Sequence, residues 1–182
     1  MLVAILLAVM SMRITELIIS HHRTRDSVQH QPEAVFPYMV SLHTSLFILV
    51  PLEVMLLGRP FIPLLFAACL SLLMLATALR VSVLRALGPS WNVRIVRPAA
   101  VVSRGVYSYI RHPNYLAVVI ELACIPLIHT AWLSALFLSS ANAVVLFFRI
   151  RAEEKLLFSL PGYREAMGGK PRFIPRVRAH GR

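Results

Sequence analysis

Apolar positions run along this chain in blocks too long for the core helices of a soluble domain. A helix needs about 20 apolar residues to cross a hydrocarbon layer about 30 Å thick. The first block starts at Met1 and runs to about Ser20, the second from about Tyr38 to Leu57, and the third from about Phe61 to Leu87. Two shorter blocks, Tyr115 to Ile128 and Ala131 to Phe148, are separated only by His129 and Thr130 and read as a helical hairpin. The pattern predicts an all-α, polytopic membrane protein with about five transmembrane helices, or four if the last pair is re-entrant. No basic segment precedes the first block and no small-residue cleavage site follows it, so it is expected to be a retained span. Pro32, Pro37, Pro60, Pro63, Pro89 and Pro98 fall at or near block ends, where proline marks a boundary. Pro51 and Pro126 lie inside blocks and are expected to kink their helices.

Composition supports the same class. The 182 residues are 58% apolar and only 15% charged, against about 25% charged in an ordinary soluble domain. Nineteen Lys and Arg against eight Asp and Glu give a formal charge of +11. In a soluble protein that balance points to nucleic acid. Here the basic residues flank the spans. Arg23 and Arg25 follow the first, only Arg59 follows the second, and Arg94, Arg97, Arg104 and Arg111 follow the third. The turn between the last two carries none, and the tail carries nine from Arg149 to Arg182, with Arg176 and Arg178 among them. That alternation predicts an outside N-terminus and a cytoplasmic C-terminus, and no nucleic-acid partner. Cys69 and Cys124 sit in apolar runs without a metal-ligand spacing, so no metal site is expected.

Charged groups inside the blocks are costly and face a bundle interior or a cavity. Glu16 is expected to pair locally with Arg13, and Glu53 to be structural. Glu121 is expected either to face a functional pocket or to pair with Arg80. His21, His22 and His43 form no ligand set and read as solvated or interfacial, and Trp91 and Trp132 as interface anchors.

Two polar segments carry the candidate chemistry. In residues 88–115, Gly105 permits a tight turn, and Arg111-His112-Pro113-Asn114-Tyr115 places His112 just before a helix, because proline disfavours helical geometry in its predecessor. Tyr107 and Tyr115 bring phenols to the same boundary. On composition alone this is equally an interfacial anchor. The second segment is Phe147-Phe148-Arg149-Ile150-Arg151-Ala152-Glu153-Glu154-Lys155. On a helix, Arg149 and Glu153 are neighbours on one face, and Glu153 and Glu154 point about 100° apart. Alone, this segment is equally a solvated helix with weak salt bridges.

Together the segments resemble the isoprenylcysteine carboxyl methyltransferase family. The resemblance covers mainly residues 70–176: GVYSYIRHPNY, the paired apolar helices, the Arg/Glu segment, Pro161-Gly162-Tyr163 and Arg172-Phe173-Ile174-Pro175. A weaker resemblance, in RITELIIS-HH and Pro37-Tyr38 with His43-Thr44, is to a bacterial branch that methylates alkylpyrone or alkylresorcinol hydroxyls. There Gln31-Pro32-Glu33-Ala34-Val35 departs from the usual run, and Ala117 replaces a glycine common in the family. The resemblance implies a methyltransferase in a bacterial inner membrane. It implies an N-terminal membrane region (1–87), a catalytic region (88–182) and a cytoplasmic pocket for S-adenosylmethionine. Val101, Val102, Tyr107, His112, Pro113, Asn114, Tyr115, Glu153 and Glu154 would line that pocket. Arg149, with Arg151 and Glu121 as further candidates, would meet a lipophilic acceptor arriving from the membrane lipid. Arg149 with Glu153 is the favoured catalytic pair, and Arg151 with Glu154 the second. A phospholipid N-methyltransferase, an NADPH-dependent sterol-type reductase and a non-enzymatic membrane protein are the competing readings.

Overall fold

A computed structural model describes residues 2–25, 34–98 and 100–175. The Gln31–Glu33 departure and the tail charges Arg176, Arg178 and Arg182 lie outside the described residues. The described residues form six α-helices in order: α1 Leu2–Arg25, α2 Phe36–Leu57, α3 Pro63–Leu87, α4 Pro113–Leu127, α5 Trp132–Leu157 and α6 Tyr163–Met167, with single 3-10 turns at Gly88–Ser90 and Gly105–Ser108. Four of them, α1, α2, α3 and α5, are long and apolar enough to cross a membrane. Large apolar side chains such as Met55, Leu64 and Leu136 point outward from them. This is the outer surface of a multi-pass membrane protein, whose solvent on that side is lipid.

The fourth apolar block forms α4. It has 15 residues, about 22 Å of helix, too short to cross alone. It is also the most enclosed helix, with Ala117, Leu122, Ile125 and Pro126 all inside the bundle. Leu42, Leu46 and Val50 of α2, Leu6 of α1 and Leu138 of α5 close around its Val118, Leu122 and Ile125. On the α3 side, Cys69 packs with Cys124 and Ile128. A helix wrapped by neighbours need not match the bilayer thickness.

α5 continues nine residues past the apolar block that ends at Phe148. No glycine or proline interrupts it before Pro161, so it carries the Arg/Glu segment out of the apolar layer as one rigid rod. Its N-terminus has no capping side chain of its own. Glu53 of α2 supplies one: it accepts from the backbone N–H groups of Leu133 (3.1 Å) and Ser134 (2.6 Å) and from the Ser134 hydroxyl. Arg59 neutralises it at 2.6 Å. Glu53→Ala is expected to cost about 2 kcal/mol, since it removes a helix cap and strands a guanidinium. A lowered thermal midpoint in detergent, only partly restored in Glu53→Gln, which keeps one acceptor oxygen and leaves Arg59 unneutralised, checks this.

Candidate functional site

The site is built where α4 begins and α5 leaves the apolar layer. Proline at the first position of α4 leaves His112 in a non-helical conformation (φ −125°, ψ 57°) with its backbone N–H outside the helix. The C-terminal segment satisfies that group: His112 N–H donates to Arg172 O at 3.0 Å, and Arg111 N–H to Pro171 O at 2.9 Å. The same pairing lays Phe173 against the His112 ring. Tyr115, one helical turn on, stacks on the same ring at 5.4 Å.

Glu154 anchors this arrangement. It accepts from His112 Nε2 (3.1 Å), from Arg172 Nη2 (2.6 Å) and Nε (3.1 Å), and pairs with Arg111 at 3.3 Å. A carboxylate accepting from Nε2 fixes the proton there and leaves Nδ1 facing Glu153, whose Oε2 is 3.6 Å away. The bond to Glu154 holds the Arg172 guanidinium above its ordinary pKa. Tyr163, packed beneath, is pushed up to about 12 by burial and then by the charge of Glu153. Tyr107 is raised for the same two reasons, so both phenols stay protonated and available as donors.

A cavity of about 130 Å³ opens over this floor. Val101, Val102, Tyr107, His112, Asn114, Tyr115, Arg149 and Glu153 line it, together with Trp91, Arg111 and Tyr163. A second cavity, of about 290 Å³, lies deeper among α1, α2, α4 and α5. Its wall is largely apolar: Met10, Ile14, Leu17, Met39, Phe47, Val118 and Leu146. Trp91, Val93, Asn114, Tyr115 and Arg149 line both cavities. Arg149 is buried at this junction, its Nε donating to the Tyr115 hydroxyl at 2.9 Å and its Nη2 to Val93 O.

Several expected positions differ. Arg151 is exposed and lies over the Phe147 ring at 4.2 Å, two positions round the helix from the buried face. Glu154 is buried under the floor and lines neither cavity, and Pro113 is buried at the start of α4. Glu121 is held by Arg80 (2.8 Å) and Arg13 in an ion cluster with Glu16, and does not line the larger cavities. Trp91 is no interface anchor. Arg23 of α1 donates to Gly88 O and Trp91 O, both at 2.9 Å, and the indole turns inward. His43 likewise faces the apolar cavity. Arg172 was legible only as part of a closing motif, because its partner is 18 residues back. Asn142 also lines the apolar cavity, and a lone amide in an apolar run is itself a signal.

Three buried polar atoms around the smaller cavity have no hydrogen-bond partner among the described residues: Glu153 Oε2, Arg111 Nε and Trp91 Nε1. Glu153, Arg111 and Trp91 all line this cavity, so an acid and two N–H donors with unspent hydrogen-bonding capacity surround a space that fits a zwitterionic amino-acid group.

Residues 67–159 match the model of the isoprenylcysteine carboxyl methyltransferase (ICMT) family. The chain is 33% identical over 132 residues to YpbQ of Bacillus subtilis, itself described as uncharacterized; the match covers 69% of this chain and 75% of that one. It shares the fold of a solved eukaryotic intramembrane Ras methyltransferase, ICMT, at a TM-score of 0.65 and 20% identity. That likeness covers 90% of this chain, which spans 62% of the other's length.

Proposed function

The chain belongs to the isoprenylcysteine carboxyl methyltransferase family, and from that premise we propose that it uses S-adenosylmethionine to O-methylate a lipophilic acceptor. The acceptor is an isoprenylcysteine-type carboxylate or an alkylpyrone or alkylresorcinol hydroxyl. One observation carries the reading: Glu153 and Arg111, each with a buried polar atom that no described residue satisfies, line a cavity floored by the RHPNY motif. Bound there, the cofactor supplies a methyl group on a cationic sulfur. Glu153 would hold its ammonium, Arg111 and the Trp91 indole its carboxylate, and Val101, Val102 and Tyr107 would pack around the rest. His112 is the platform, clamped by Glu154 and Tyr115.

The apolar cavity would take the acceptor's hydrocarbon, entering from the bilayer between helices. The two cavities meet at Arg149, so an acceptor oxygen and the cofactor would face each other beside its guanidinium. Arg149 would stabilise negative charge on that oxygen as it attacks. Burial at the junction excludes water and lets positioning do most of the catalysis. In this reading residues 88–182 hold the cofactor, helices α1–α3 wall the acceptor, and the site opens to the cytoplasm of a bacterial inner membrane.

Calorimetry of the detergent-purified protein tests the cofactor. Saturable binding of S-adenosylhomocysteine, with none of NADPH, is expected; folded protein that binds neither overturns the proposal. Glu153→Gln is expected to weaken S-adenosylhomocysteine binding roughly 10- to 100-fold, the value of a charge-assisted hydrogen bond. Unchanged affinity would remove Glu153 from the amine site.

A further inference from the structure

Resting on the methyltransferase reading above, we infer that His43 accepts the acceptor's hydroxyl proton and that Asn142 orients the acceptor for that transfer. Both side chains line the apolar cavity, His43 from α2 and Asn142 from α5. His43 Nδ1 lies 2.8 Å from Met39 O. A carbonyl oxygen only accepts, so Nδ1 carries the hydrogen, and in the neutral ring Nε2 keeps its lone pair. Nε2 has no hydrogen-bond partner among the described residues and is not sealed off by neighbours. The imidazole therefore offers a proton acceptor to whatever occupies the cavity.

Asn142 supplies the independent observation. It is 97% buried in an apolar stretch of α5, being only 3% exposed, and its amide has no hydrogen-bond partner among the described residues. Its polar atoms are absent from the sealed, unsatisfied groups, so they open onto the cavity they line. An amide buried in a membrane helix without a partner costs free energy unless a ligand completes it. Asn142 and Arg149 lie seven positions apart on one face of α5, about 10 Å along its axis. A ring bearing two oxygens fits that spacing, one at Arg149 and one toward Asn142, with the hydrocarbon beyond.

The proton balance gives His43 its part. An ionised carboxylate needs no base, whereas a hydroxyl must lose its proton as oxygen attacks. The O–H electrons become the new O–CH₃ bond, the S–CH₃ electrons stay on sulfur, and the proton passes to Nε2. Arg13, Arg80 and Arg149 are cations that act electrostatically on the imidazole, and Glu16 and Glu121 are the anions paired with the first two. The cations lower the cost of the phenolate-like oxygen that forms.

Two measurements test this with a pentadecyl-chain phenol as probe. The first needs no turnover. Trp91 lines the cavity, so in a Trp132→Phe background its fluorescence reports occupancy. The phenol is expected to bind cofactor-free protein at least tenfold more tightly than its methyl ether. His43→Gln should abolish that preference, and Asn142→Leu should weaken binding of the phenol. The second is methyl transfer against pH: His43→Gln is expected to lose about a hundredfold near neutrality and to recover as the medium ionises the phenol. S-adenosylhomocysteine binding stays unchanged in both variants and shows that they are folded. Wild-type binding preference and wild-type rates in His43→Gln overturn the base. Protein that binds S-adenosylhomocysteine but methylates a long-chain carboxylic acid and not the phenol overturns the inference and leaves the methyltransferase reading standing. Protein that binds no S-adenosylhomocysteine overturns that reading instead.

Discussion

Arg80→Leu is expected to destabilise the detergent-solubilised protein by about 3–5 kcal/mol, the usual cost of stripping one partner from a buried ion pair. Arg80 is the hub of a four-residue cluster in the apolar part of the bundle. Its Nη1 donates to Glu16 at 2.9 Å, its Nη2 and Nε to Glu121 at 2.8 and 3.2 Å. Arg13 completes the ring, donating to Glu16 at 2.8 Å and to Glu121. Two cations and two anions balance, and all four groups are largely removed from solvent. Without Arg80, two carboxylates share one guanidinium in a medium that solvates neither. The cluster also joins α1, α3 and α4, and Arg80 reaches Asn114 at 3.4 Å, so its loss is expected to loosen the junction of the two cavities. Reversible unfolding in mixed detergent measures the cost. Restoring neutrality in Arg80→Leu/Glu121→Leu should recover most of it; a double variant no better than the single would show that packing, not charge balance, is what Arg80 supplies.

Arg149→Ala is expected to lower kcat by about 100- to 1000-fold, the range for removing one donor from a developing oxyanion. Cofactor affinity should change far less, because in the proposed arrangement Glu153 and Arg111, not Arg149, hold the amino-acid group. Arg149→Lys should restore only a part, since an ammonium lacks the fork that reaches Tyr115 and Val93 together. Methyl transfer and S-adenosylhomocysteine calorimetry on the same preparations separate the cases. Parallel loss of binding and rate would mean that Arg149 acts by holding Val93 and Tyr115 rather than at the acceptor.

The register of the Arg/Glu segment shows how far spacing alone carries. Helical periodicity put Arg149 and Glu153 on one face and left Arg151 with Glu154 as a second choice. In the fold, Arg149 and Glu153 line the cavity, Arg151 faces outward, and Glu154 is buried on a different side. Periodicity assigns residues to faces, but which face meets a neighbour depends on how α5 packs on α4. Glu154 illustrates this most directly. Its partners, Arg111, His112 and Arg172, come from segments 43, 42 and 18 residues away.

Trp91 and His43 mark the same limit. Each is an amphipathic side chain near a span end, where sequence statistics favour an interface. Arg23 draws the loop of Trp91 over the bundle, and the packing of α2 on α5 turns His43 inward. Neither influence is local in sequence.

What the chain determined by itself is what depends on composition and short spacing. Long apolar blocks require helices in lipid, proline sets where α3 and α4 begin, and the RHPNY and Arg/Glu motifs carry the family resemblance. What only the tertiary structure decided is which polar groups are spent on one another and which are left open. Glu121 and Glu154 are consumed by arginines, while Glu153, Arg111, His43 and Asn142 keep hydrogen-bonding capacity toward a cavity. The reason is physical: hydrogen bonds and ion pairs form across distances in space, and inside a membrane bundle no water makes up for the ones that are missing.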